Sequence, residues 1–172
     1  MNELVLESGG GVGSNGASRR FIRFFAEVGI DDLPLVGGKN ASLGEMYRSL
    51  TPKGILIPNG FAITAQAYRH ALDAGGAWEP LRAALDGLDA ANVADLARRA
   101  MQAREIVFGA GLPEDLAAEI RDALAQLSAE YGGELAVAVR SSATAEDLPS
   151  ASFAGQHESY LNVRGEAGIM EA

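Results

Sequence analysis

An α+β fold is predicted by three features of the sequence. Short apolar runs rich in aromatic and β-branched residues lie near both ends, helical periodicity fills the stretch from about 78 to 131, and glycine or proline punctuates most junctions. A chain of 172 residues, 48% of them hydrophobic, can bury a sizeable core and is expected to form one domain or most of one. No apolar run approaches the roughly 18 to 20 residues of a membrane helix, and Met1-Asn2-Glu3 lacks the basic flank of a secretion signal, so a cytoplasmic protein with no membrane partner is expected. The absence of cysteine excludes disulfides and thiolate metal sites. Two histidines, His70 and His157, are too few for a typical histidine-bound metal centre.

Residues 1 to about 19 read as a flexible, glycine-rich tail. Gly11, Gly13 and Gly16 match a dinucleotide-binding spacing, but only three apolar residues, Leu4-Val5-Leu6, precede them, and Arg19 to Phe25 reads as a strand where that motif needs a helix. The domain is therefore placed at 20–172. After Pro34 and Gly37-Gly38, a helix is expected to begin at Asn40 as N-cap, with Leu43, Met46, Tyr47 and Leu50 on one face. Ile55-Leu56-Ile57 and Phe61-Ala62-Ile63 read as strands around the turn Pro58-Asn59-Gly60. Thr64 then caps a helix through Tyr68 and Leu72 to Gly75-Gly76.

In the helical stretch, Asn92 caps a helix carrying Val93, Leu96, Ala100 and Val107 that ends at Gly109 and Gly111. Pro113 opens another with Leu116, Ile120, Leu124, Leu127 and Tyr131 at spacings of four and three, stopped by Gly132-Gly133. These helices are assigned to packing, their charges to solvated faces with weak local ion pairs. Leu135 to Val139 forms a strand built on alternating alanine and closed by Arg140, and Ser152 to Val163 reads as a strand leaving the following loop.

The chemistry concentrates where Ala138-Val139-Arg140-Ser141-Ser142-Ala143-Thr144 runs into Ala145-Glu146-Asp147-Leu148-Pro149 and Ser152-Phe153-Ala154-Gly155-Gln156. A guanidinium at a strand end, followed by hydroxyls and glycine, supplies one fixed cation and many small donors, the requirement of a polyphosphate. The alternative structural role pairs Arg140 with Glu146 or Asp147 and uses Thr144 to cap a turn. The net charge of −9 argues against nucleic acid as partner yet allows a nucleotide, provided positive potential is concentrated locally. Of fourteen basic residues only Lys39 and Lys53 are lysines, and Lys39 directly follows the diglycine, where helix amides add positive potential. The segment is not a Walker A loop, which would need glycine at Leu33 and serine or threonine at Asn40.

From about Phe21 to Val163 the chain resembles the N-terminal, ATP-binding part of the phosphoenolpyruvate synthase (pyruvate, water dikinase) family. The resemblance rests on Leu35-Val36-Gly37-Gly38-Lys39-Asn40-Ala41-Ser42-Leu43-Gly44-Glu45-Met46, on Ile57 to Thr64, on Val139 to Asp147 and on Ser152 to Gln156. It implies the first lobe of an ATP-grasp fold, with Lys39 and Arg140 as catalytic, phosphate-holding cations and Gly155, Gln156 and Ser159 in the continuing ATP-binding loop. The family converts pyruvate, ATP and water to phosphoenolpyruvate, AMP and phosphate through a phosphohistidine, in gluconeogenesis. The resemblance places that histidine, the pyruvate site and the Mg2+ ligands in segments outside this sequence, so the chain alone is expected to be inactive. His157 and His70 are read as ordinary strand and helix side chains. Rifamycin phosphotransferases and pyruvate, phosphate dikinases share this lobe and stay as alternatives, as does a free-standing nucleotide-binding module without turnover. The oligomeric state stays open, a homodimer included.

Overall fold

The computed structural model describes residues 19–133, 135–144 and 158–172. The glycine tail, Glu146, Asp147, Phe153, Gly155, Gln156 and His157 lie outside the described residues. Within them the architecture is α+β: two small antiparallel sheets and six helices. Strand β1 (Ile22–Phe24) pairs with β2 (Phe61–Ile63), Ile22 facing Ile63 and Phe24 facing Phe61. Strand β3 (Ala136–Arg140) pairs with β4 (Ser159–Arg164) across an irregularity between Val137 and Val139. The helices are α1 (Leu33–Leu50), α2 (Ala65–Ala74), α3 (Trp78–Leu85), α4 (Val93–Gly109), α5 (Glu114–Tyr131) and α6 (Gly165–Glu171).

The main core sits between β1 and α5. Phe21, Ile22 and Phe24 from the strand meet Leu116, Ile120, Ala123 and Leu127, the apolar stripe predicted for α5, with Ala67 of α2 beside them. Leu135 and Met170 pack on the same cluster, so the segments flanking β3 and β4 are tied to it. Glu119 on α5 anchors the strand from its start, its carboxylate accepting from the backbone amides of Phe21 at 2.8 Å and Arg20 at 3.0 Å. The Thr64 cap forms as predicted, its hydroxyl accepting from Ala67 N while its own amide donates to Phe21 O. A second cluster of Val28, Val36, Ala41 and Ala62 seats α1 against the segment after β1.

Four expectations are corrected. The Arg19–Phe25 strand shortens to Ile22–Phe24, because the chain turns into a 3-10 turn at Phe25–Glu27 in which the Glu27 carboxylate accepts from Phe24 N. Helix α1 starts seven residues before Asn40: Pro34 sits in its first turn, where its missing amide hydrogen costs nothing. Asn40 lies inside the helix, and its side-chain amide donates backward to Val36 O at 2.9 Å. The expected strand at Ile55–Ile57 does not form. The chain is there a loop with Leu56 95% exposed, and the apolar run meets no partner strand among the described residues. Finally, α4 buries none of its residues fully; Val93 and Phe108 stand 76% and 88% exposed, and its main packing partner is α3.

One arginine of α4 does more than the solvated role assigned to it. Half-buried Arg99 donates to the Ala84 and Asp86 carbonyls at the end of α3 while pairing with Asp95 of its own helix, so it closes the α3 C-terminus. Arg98 and Arg82 pair locally with Asp95 and Glu79 at the surface, as expected.

Gly44 sets how closely α1 approaches the chain after β1: a Cβ there would meet the Val28 carbonyl oxygen at 2.6 Å and Val28 Cβ at 2.7 Å. Because the obstacle includes backbone, Gly44→Ala should cost about 1–3 kcal/mol by overpacking. Urea denaturation checks this, and an unchanged midpoint would show that α1 can shift without loss.

Candidate functional site

The site is built at one break in α1. Gly37 adopts φ 78°, ψ 163° inside an otherwise helical run, a backbone region in which a side chain is strained. The loop leaving β3 fills the space this opens. A Cβ on Gly37 would collide with Ser142 Oγ and lie 2.9 Å from the Ala143 carbonyl oxygen. The diglycine therefore admits a close approach, and in this structure the group that approaches is the chain's own Ser141–Ala143 segment.

Three hydrogen bonds stitch the two segments together across about a hundred residues of sequence. Ser142 Oγ donates to Val36 O at 3.0 Å, Gly38 N donates to Ala143 O at 3.4 Å, and Lys39 Nζ donates to Ser141 O at 3.3 Å. Sequence reasoning offered the first amides of the helix to a ligand; here the Gly38 amide is taken by Ala143.

Lys39 is half-buried on α1, and Arg140 is exposed at the end of β3, immediately before the serine whose carbonyl holds the Lys39 ammonium. Ser159 opens β4 directly opposite Arg140 in the sheet register. Ser141 reaches across the same pair of strands toward the Glu158 carbonyl at 3.5 Å. Lys39, Arg140 and Ser159 thus share one neighbourhood, while Gly155 and Gln156 lie outside the described residues. Ser142 was not singled out as a site residue. The only sequence signal for it was a second hydroxyl placed where a glycine 105 positions earlier leaves room.

The chemistry of this donor set fits phosphate. The Lys39 ammonium on the Ser141 carbonyl, with Arg140 the preceding residue and Ser159 opposite it in the sheet, offers charged and hydroxyl donors of the kind a phosphate takes. Among the described residues no group of three His, Cys, Asp or Glu could hold a metal ion, and no helix is long and apolar enough to cross a membrane. Just before β4, the Glu158 carboxylate that accepts from the Tyr160 hydroxyl pushes the Tyr160 pKa up.

His70 lies apart from this neighbourhood. Its ring stacks on Phe21 with centroids 4.6 Å apart, and its Nε2 meets the Asp115 carboxylate at 2.9 Å, linking α2 to the start of α5. The bond from His70 is the main reason the Asp115 carboxyl titrates below its ordinary value. That makes it a structural contact, in keeping with the role read from the sequence.

Residues 33–172 match the family described as pyruvate phosphate dikinase, AMP/ATP-binding domain. The chain is 49% identical over 152 residues to a phosphoenolpyruvate synthase of Helicobacter pylori, covering 88% of this chain and 19% of that protein. It is 47% identical over 156 residues to the enzyme of that name from Aquifex aeolicus, covering 90% and 18%, and 43% over 159 residues to that of Escherichia coli, covering 92% and 20%. The resemblance read from the motifs is borne out, and the chain spans about a fifth of the length of these relatives.

Because the folded Asp115 pKa is depressed, its contribution to stability is present above the unfolded value of 3.8 and is lost as pH falls through the folded one. Asp115→Asn should therefore lower the thermal midpoint at pH 5, with the gap to the parent protein closing on acidification below that value. A gap independent of pH would separate the stability effect from ionisation.

Proposed function

This chain belongs to the pyruvate phosphate dikinase AMP/ATP-binding domain family, and we propose that it is the first lobe, residues 20–172, of the ATP-grasp site of a phosphoenolpyruvate synthase. In this reading a longer polypeptide phosphorylates pyruvate with ATP and water, yielding phosphoenolpyruvate, AMP and phosphate in the cytoplasm. The phosphohistidine, the pyruvate site and the Mg2+ ligands belong to segments beyond this one. The relatives described above favour this reaction over the rifamycin phosphotransferase and phosphate dikinase alternatives.

The observation that carries the proposal is the bond from Lys39 Nζ to the carbonyl of the residue following Arg140. Two cations 101 positions apart in sequence are thereby brought to one loop, in a chain whose net charge of −9 would otherwise repel a polyphosphate. Phosphoryl transfer asks mainly for positioning and charge neutralisation, and an ammonium with a fork-shaped guanidinium supplies both. When ATP enters, its phosphate oxygens take over the Lys39 donor from the Ser141 carbonyl. Ser159, across the sheet from Arg140, adds a hydroxyl, and Gly155 and Gln156 complete the covering loop in this proposal.

In this reading both cations line one side of a two-lobed cleft. On its own the chain leaves the phosphates in water, where each ion pair is worth little. The isolated 172 residues should accordingly bind ATP weakly and turn over nothing.

In the full-length protein, Arg140→Ala should abolish ATP-dependent phosphorylation while leaving the thermal midpoint near that of the parent; normal turnover would return Arg140 to a structural role. Lys39→Met keeps the aliphatic stem and removes the charge. Losing one charged hydrogen bond costs about 1.5–3 kcal/mol, so the Kd for ATP should rise about 10- to 150-fold. Calorimetric titration measures this, and an unchanged affinity would take Lys39 out of the site.

A further inference from the structure

We infer that Ser142 is a positioning residue for nucleotide binding: its hydroxyl clamps the break in α1 and so sets where Lys39 presents its ammonium. The inference rests on the ATP-site reading above but concerns a residue to which that reading gives no role.

The buried Val36 carbonyl ends the first turn of α1 and accepts two side-chain donors, Asn40 Nδ2 at 2.9 Å and Ser142 Oγ at 3.0 Å. The next residue, Gly37, holds the positive φ that breaks the helix, and Gly38 N is fixed to Ala143 O. Lys39 thus stands between two residues fixed by hydrogen bonds, Gly38 to Ala143 O and Asn40 to Val36 O, the latter carbonyl also held by Ser142. Its Nζ then meets Ser141 O, one residue from Ser142 and one from Arg140.

A lysine stem carries about 2 kcal/mol of rotamer entropy, and fixing its root before ligand arrives removes part of the ordering cost of binding. Ser142 joins the break to the loop that follows Arg140 by a side-chain bond to the Val36 carbonyl. It also packs where any side chain at position 37 would stand. The hydroxyl makes no claim on phosphate here, because its hydrogen is committed to Val36 O.

The test is ATP affinity of the full-length protein by calorimetric titration, with thermal midpoints alongside, for Ser142→Ala, Ser142→Thr, Lys39→Met and the Ser142→Ala/Lys39→Met pair. Loss of one neutral hydrogen bond predicts a rise in Kd of about five- to tenfold for Ser142→Ala. Ser142→Thr, which keeps the donor, should restore affinity. Because Ser142 acts through Lys39, adding Ser142→Ala to Lys39→Met should weaken binding no further. Should the alanine variant fail to fold, Ser142→Cys keeps the volume with a weak donor and is read in its place. If Lys39→Met weakens ATP binding while Ser142→Ala does not, or the two effects simply add, the positioning role is overturned and the ATP site stands. If Lys39→Met binds ATP as the parent does, the site reading fails and the positioning role fails with it.

Discussion

The positive-φ backbone at Gly37 is the constraint on which the rest of the site depends. Without it, α1 would run straight from Leu33 to Leu50, and the Ser141–Ala143 loop would find a continuous helix surface with no room to enter. With it, two segments about a hundred residues apart interlock through Val36, Gly38 and Lys39 on one side and Ser141, Ser142 and Ala143 on the other. The absence of a Cβ at one position thus decides the neighbours of a lysine two positions later.

That interlock needs support from packing, because among the described residues β3 and β4 form a two-stranded sheet, marginal by itself in water. Leu135 and Met170, just before β3 and within α6, reach the main core built on β1 and α5. Arg121 of α5 pairs with Glu166 of α6 at 3.3 Å on the same side, an exposed contact of small value next to the burial it accompanies. The loop bearing Arg140 is in this way referred to the same core that seats the start of the domain, and α1 is referred to it through Ala62 and the second cluster.

Much of this was legible in the sequence where local chemistry and tertiary need agree. The Thr64 and Asn92 caps, the α5 stripe and its glycine stop are local signals that packing had no reason to override. Ile55–Ile57 failed because an apolar β-rich run becomes a strand only beside a partner, and none lies there among the described residues. Asn40 misled because asparagine suits both a cap acceptor and a backward donor, and the carboxylate of Asp32, the actual N-cap residue, is occupied by Gly29 N instead of the helix amides. The exposure of α4 was invisible, since periodicity reveals an apolar face and not what will cover it. For the site, Lys39 and Arg140 stood out as charges beside glycine and hydroxyl. The contacts that bring them to one loop involve backbone carbonyls, which leave no mark in the sequence.

The central claim is that Lys39 and Arg140 hold the same nucleotide. The most direct measurement is a structure of the full-length protein with a non-hydrolysable ATP analogue. The account predicts phosphate oxygens within hydrogen-bonding distance of both Lys39 Nζ and the Arg140 guanidinium, with the Lys39 ammonium withdrawn from Ser141 O. An analogue whose phosphates touch neither side chain, or the two side chains directed to opposite faces of the lobe, would contradict it.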